Sequence, residues 1–396
     1  MPRFSPFRGL RYDPAIIPLE QVIAPPYDVI EPAERTRLAT RSSFNSVHLE
    51  LPDADLRAGL DRYQVAAHLL SAWRKDGVLV LEDHPAFYLY QMTTRDGRAT
   101  LGVVGALGLP EEDEEGEILP HEETLPKPRS DRLDLLSATE ANLSPIWGLS
   151  MTKGLSSILV PTGEPEIDVH DDDGVRHELW VVPEHHAPAI TEAVAAESVV
   201  IADGHHRYQT ARVYQHQVRA EQGDARGGRD WVMALVVELS EEQLAVGPIH
   251  RVISGLAPGT DLIGGFSRWF DVVRAGDGSD RVASALGEAT SLALLTNEDA
   301  WLLTARPETY EAANSDLDSS LVELALLEFP DVATSHRHSW QDAIESVRTG
   351  DAQAAVLLRP PTVAQISEWA HERRRMPAKT TYFSPKPRTG MVIRPL

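Results

Sequence analysis

Between positions 198 and 217 the chain passes, across two residues, from a run suited to a strand into a run suited to a helix. No other stretch limits the fold as tightly. Residues 198–202 hold three consecutive β-branched side chains, Val199, Val200 and Ile201, as expected of a buried strand. Residues 205–217 are good helix formers, and Asp203 and Gly204 stand at the junction. A strand that feeds directly into a helix belongs to a layered α/β architecture, in which helices cover a sheet.

The rest of the chain agrees with that class. The segment 4–12 reads as extended, and residues 61–75 as a helix with apolar Val65, Leu69, Ala72 and Trp73 and a C-terminal glycine at Gly77. Two hairpins are signalled, one around Asp96-Gly97 and one around Asp173-Gly174. Ala24-Pro25-Pro26-Tyr27-Asp28 reads as a rigid, non-helical loop, because consecutive prolines remove donors and restrict their predecessors. Residues 231–239 and 244–253 read as buried strands, and the remaining third alternates strand and helix. The expectation is an α/β protein of mixed sheets with helices packed around them. Residues 1–255 form an N-terminal α/β region that carries the turn Asp203–Arg207. Residues 256–375 form a C-terminal α/β subdomain, and 376–396 a segment returning towards the site.

Charge and composition exclude several functions. Sixty acidic against 37 basic residues give a formal charge of -23, which repels DNA and anionic membrane. The partners expected are therefore small molecules, with no oligomeric state implied. Cysteine is absent, so a thiolate nucleophile, a disulfide framework and Cys-based metal centres are excluded. No apolar run has the length of a membrane span and no secretory core stands near the start, so a cytoplasmic location is expected.

The chemistry concentrates at Asp203-Gly204-His205-His206-Arg207. A strand that turns straight into a helix leaves the first helical N–H groups unpaired and facing whatever lies beyond the turn. An anion fits there: Gly204 permits close approach, Arg207 can fork onto phosphate oxygens, and His205 or His206 can donate a hydrogen bond or a proton. Asp203 can hold Mg2+ or orient a hydroxyl, or it can simply cap the helix. His121, Glu122, Thr124 and Lys127 lie in a polar, proline-stiffened loop, with Glu122 and Asp28 as rival general bases. His250 and Arg251, with Lys379, Thr380 and Lys386, are further candidates for phosphate contact. A zinc site is disfavoured, since the paired histidines 185–186 and 205–206 are adjacent and do not share one helix face.

The turn resembles the signature of the ParB and sulfiredoxin-like superfamily, in which a strand leads to Gly-x-x-Arg-x-x-x-Ala, here Gly204, Arg207 and Ala211. Its Asp-Gly-His-His-Arg form is similar to the free serine kinase branch. That resemblance implies a strand-turn-helix phosphate site and phosphoryl transfer from a nucleotide, ADP or ATP, to a small hydroxylated metabolite such as serine. Over nearly its whole length the chain also resembles the domain of unknown function 1015 family. The matching segments are Pro6-Phe7-Arg8-Gly9-Leu10-Arg11-Tyr12, Pro25-Pro26-Tyr27-Asp28-Val29-Ile30, His121-Glu122-x-Thr124, Pro248-Ile249-His250-Arg251-Val252 and Pro377-x-Lys379-Thr380-Thr381-Tyr382-Phe383-x-Pro385-Lys386. One departure is Thr380, where serine is expected in many relatives. Sulfiredoxin chemistry needs a cysteine and ParB a basic DNA-binding surface, and neither is present. A phosphatase and a non-catalytic nucleotide-binding regulator are the competing functions.

Overall fold

The computed structural model describes residues 1–111, 116–122, 130–223, 226–276 and 292–396. These fall into two compact units, Met1–Leu244 with Pro385–Leu396, and Ala245–Ser384. No helix among the described residues is long and apolar enough to cross a membrane.

The first unit is built on a nine-stranded mixed sheet. Its strands are β1 (Phe4–Ser5), β2 (Tyr88–Thr93), β3 (Ala99–Gly108), β4 (Ile118–Pro120), β5 (Ile146–Ser150), β6 (Ile167–His170), β7 (Arg176–Val181), β8 (Val199–Asp203) and β9 (Trp231–Glu238). They run in the order β4-β8-β5-β9-β3-β2-β7-β6, with β1 added to β3. Both expected hairpins form, and Gly97 and Gly174 take the positive φ their turns demand. The helices of this unit include α1 (Arg62–Lys75), α2 (Ser130–Thr139), α3 (Ala187–Ala195) and α4 (His205–Gln222). A capping box between Asp61 and Gln64 starts α1. Val199 and Ile201 of β8, Val232, Ala234 and Val236 of β9 and Ile190 and Val194 of α3 meet in one buried core.

Two expectations are corrected. Tyr27–Val29 forms a short 3-10 turn rather than an irregular loop. Pro25 and Pro26 precede the turn, where a missing N–H removes no hydrogen bond. Residues 244–253 do not form one strand: Ala245–Gly247 pairs with Tyr382–Ser384, while β10 (His250–Ser254) enters a different sheet. Pro248 lies between them and cannot donate to a ladder.

The second unit holds that other sheet, completed by β11 (Phe270–Gly276), β12 (Leu292–Thr296), β13 (Ala300–Ala305), β14 (Ala333–Arg337) and β15 (Ala354–Leu357), in the order β11-β13-β12-β15-β10-β14. Helices α5 (Asp318–Leu326), α6 (Trp340–Arg348) and α7 (Val363–His371) belong to it. Two apolar clusters form its cores, one around Phe266, Phe270 and Val322, the other around Ala343, Val347 and Leu357.

Candidate functional site

Strands β4 and β8 are parallel neighbours, with Ile118 opposite Val199 and Pro120 opposite Ile201. Their C-terminal ends therefore finish side by side, one continuing into His121-Glu122 and the other into Asp203-Gly204-His205. Ligands of α/β sheets collect at such strand ends. On its other edge β8 runs antiparallel to β5, and the register slips between Ile201 and Asp203. This irregularity lets Asp203 leave the strand pointing differently from the residues before it.

Gly204 turns the chain at φ +85°, a conformation that favours glycine. A side chain added there would meet the Arg207 guanidinium at 3.0 Å. The N-cap of α4 is Gly204, and no side-chain cap is found there among the described residues, so Asp203 is not the helix cap that sequence left open as an alternative. Its carboxylate accepts instead from Arg207 Nη2 at 2.7 Å, and its other oxygen accepts from Lys386 Nζ. Burial pushes the Asp203 carboxyl upward, but the facing Lys386 and Arg207 outweigh that and hold it below the usual carboxylate range. Arg207 also donates to the Pro145 carbonyl and, at 3.3 Å, to Ser144 Oγ, both just ahead of β5. Its Nε is buried without a hydrogen-bond partner among the described residues.

His121, only 4 % exposed, places Nδ1 against the Ile201 carbonyl and Nε2 3.0 Å from Glu122 Oε1. The ring thus bridges the end of β8 and the Glu122 carboxyl. The His121 ring lies 5.1 Å from that of His205. Burial, with His121 beside it, drives His205 down to about 3, so this imidazole is neutral at ordinary pH. His205 Nε2 is buried without a partner among the described residues. His206 follows on the same turn, half-buried.

Three further groups, of which only Glu50 carried no signal in the sequence, complete the surroundings. Glu50 is 3 % exposed, Arg132 reaches it at 3.2 Å, and the Tyr27 ring lies 4.2 Å from the Arg132 guanidinium. Burial pushes the Tyr27 hydroxyl up to about 12. The exposed Asp28 acts electrostatically on Arg207. Thus Asp28, His121, Glu122, Asp203, Gly204, His205, His206, Arg207 and Lys386 all belong to the first unit. Thr124 and Lys127 lie outside the described residues.

The other candidates belong to the second unit, with partners there. Arg251, 1 % exposed, donates to the Ile249 and Lys379 carbonyls and pairs with Glu323 at 3.0 Å. His250 Nδ1 accepts from the Leu358 N–H at 3.1 Å, and burial drives this ring down to about 4. Lys379 has φ +60°, uncommon outside glycine. Thr380 Oγ1 hydrogen-bonds Ser319 Oγ at 2.9 Å, in the wall of a cavity of about 360 Å³.

A magnesium ion at Asp203 does not fit this donor set. Both carboxylate oxygens carry cations, and no group of three His, Asp or Glu suited to a metal occurs among the described residues.

Comparison with known proteins gives one family and several distant structures. The family model described as protein of unknown function (DUF1015) matches residues 4–321. No curated protein matches the chain. A free serine kinase in complex with AMP aligns at 12 % identity over 67 % of this chain and 83 % of its own, with a TM-score of 0.36. A conserved hypothetical protein from Pyrococcus furiosus aligns at 12 % identity over 70 % and 91 %, TM-score 0.37. SbnI with a C-terminal truncation, from Staphylococcus aureus, aligns at 13 % over 69 % and 82 %, TM-score 0.36.

Proposed function

The chain belongs to the DUF1015 family, and we propose that it is a nucleotide-dependent phosphotransferase acting on a small hydroxylated metabolite, with free serine as the first acceptor to test. One observation carries this reading. Among the described residues the start of α4 has no side-chain cap, while the carboxylate best placed to supply one is turned aside to Arg207 and Lys386.

A helix start left open in this way, behind a glycine that admits close approach, suits a phosphate group. Lys386 and Arg207 stand beside it, held in place by Asp203. Either cation reaches an incoming phosphoryl oxygen by exchanging one oxyanion for another, so charge on the transferring group meets donors that are already oriented. The hydroxyl oxygen of the acceptor attacks phosphorus, the bond from phosphorus to the nucleotide oxygen breaks, and the hydroxyl proton passes to a carboxylate. Glu122, hydrogen-bonded to His121, is the candidate for that role, and Asp28 is its rival. His205 is neutral and serves as a polar wall rather than as an acid. No step here runs through a protein-held metal.

The test incubates purified protein with serine and the magnesium complex of ADP or ATP, and follows phosphoserine by mass spectrometry. Product from one nucleotide, lost in Arg207→Ala, is the expected result. Phosphate released without an acceptor points to a phosphatase. Nucleotide binding without product, unaffected by Glu122→Gln and Asp28→Asn, points to a regulator; either outcome overturns the proposal.

A further inference from the structure

A small cavity of about 60 Å³ has Tyr27, Glu50, Arg132 and Arg207 in its wall, with apolar Leu136 and Leu143. Glu50 ends the one-turn helix Val47–Glu50 and is 3 % exposed. Its Oε2 faces Arg132 Nη1 at 3.2 Å, whereas its Oε1 is buried with no hydrogen-bond partner among the described residues. Arg132 does not neutralise Glu50 alone, because it also donates through Nε to Asp131 at 2.9 Å. Arg207, another lining residue, has its Nε buried in the same condition.

An unmet carboxylate oxygen inside a protein is costly, and the group that offsets it best is a cationic nitrogen with its own N–H bonds. Among the residues lining the cavity, one therefore carries an unmet acceptor and another an unmet donor. Its size admits an ammonium head and the first carbon atoms behind it, but not a nucleobase. We propose that this cavity takes the ammonium end of a small hydroxylated amine, and that Glu50 is the residue selecting for the amine. The assignment of the hydroxyl to phosphoryl transfer rests on the function proposed above. The amine contact itself does not.

Calorimetric titration of three probes tests the idea: serine, with amine and carboxylate; ethanolamine, with amine only; and glycerate, with carboxylate but no amine. The full-length protein should bind serine and ethanolamine but not glycerate. Serine exceeding ethanolamine would show that the carboxylate is also read, and equality that only the amine is. Glu50→Gln should lose about tenfold or more in affinity for both amines, the worth of one charge-assisted hydrogen bond, while nucleotide affinity stays unchanged. If Glu50→Gln does not fold, Glu50→Asp must show the same selective loss. Glycerate binding as well as serine, no amine binding at all, or a folded Glu50 variant with native amine affinity each overturns the proposal. Glu50-dependent amine binding without any phosphorylated product would leave this inference standing and sink the phosphotransferase reading alone.

Discussion

Two half-buried aspartates of the first unit each hold one residue of the same C-terminal segment. Asp203 holds Lys386, and Asp171 holds Arg388, two positions further on. Their surroundings differ. Around Asp171 the hydrogen bonding closes on itself. Arg388 donates to Asp171 through Nε at 2.8 Å and to Asp173 at 2.7 Å, while His177, 0 % exposed, bridges Asp171 at 2.8 Å and the Tyr90 hydroxyl at 2.9 Å. That hydroxyl in turn accepts from the Arg388 N–H at 2.9 Å. Near Asp203, by contrast, Arg207 Nε, His205 Nε2 and Glu50 Oε1 lack partners among the described residues. A closed network serves to fix the chain, whereas one that stops short of three buried polar atoms is shaped for something that arrives from outside.

The sharpest way to break this contrast is to remove the cation from each aspartate and compare stability with binding. Arg388→Met strands Asp171 among buried groups, and should lower unfolding free energy by about 3–5 kcal/mol in a denaturant titration. Burial raises the Asp171 carboxyl, but His177 and Arg388 outweigh it and keep it well below the usual range, so the loss is present at neutral pH and shrinks as acid protonates the carboxyl. Lys386→Met leaves Asp203 with Arg207 and should cost less, about 2 kcal/mol. Its larger consequence should fall on ligand binding, with nucleotide affinity reduced about tenfold or more by the loss of a charge-assisted contact. If Arg388→Met, once refolded, lost nucleotide binding while Lys386→Met lost only stability, the two networks would have been assigned the wrong way round.

How far the sequence could reveal this contrast depended on chain distance. The strand, Gly204 and α4 are adjacent in sequence, so local propensity was enough to place them, and the polar residues His121 and Glu122 stood out in a stiff loop. Lys386 was noticeable as one of five lysines. Glu50 carried no such signal: it sits between Leu49 and Leu51 on a short helix, and only the long-range approach of Arg132 and Arg207 makes it a cavity residue. The Asp171, His177, Tyr90 and Arg388 network was equally hidden, because its members come from β2, β7, a hairpin turn and the C-terminal segment. His250, Arg251, Lys379 and Thr380 were conspicuous as motifs, yet Arg251 spends its donors on backbone carbonyls of the second unit, where it fixes local chain geometry.

The smallest expected effect separates the two regions by acid response. His205 is held at about 3 by burial, against an ordinary value near 6.5, so between those values the unfolded chain binds a proton that the folded one refuses. Stability therefore falls as pH drops through this window, by about 1 kcal/mol between pH 7 and roughly pH 5.5. His205→Gln carries no proton and should remove that increment from the acid limb. It should leave neutral-pH stability nearly unchanged, because the ring's Nε2 has no hydrogen-bond partner among the described residues. Burial also lowers His177, but its ring joins Asp171 to Tyr90, so His177→Gln should destabilise at every pH and only secondarily alter the slope. Urea titrations at both pH values distinguish the cases. A constant offset for His205→Gln, with no change in slope, would mean that this imidazole is a structural member of its network just as His177 is of the other.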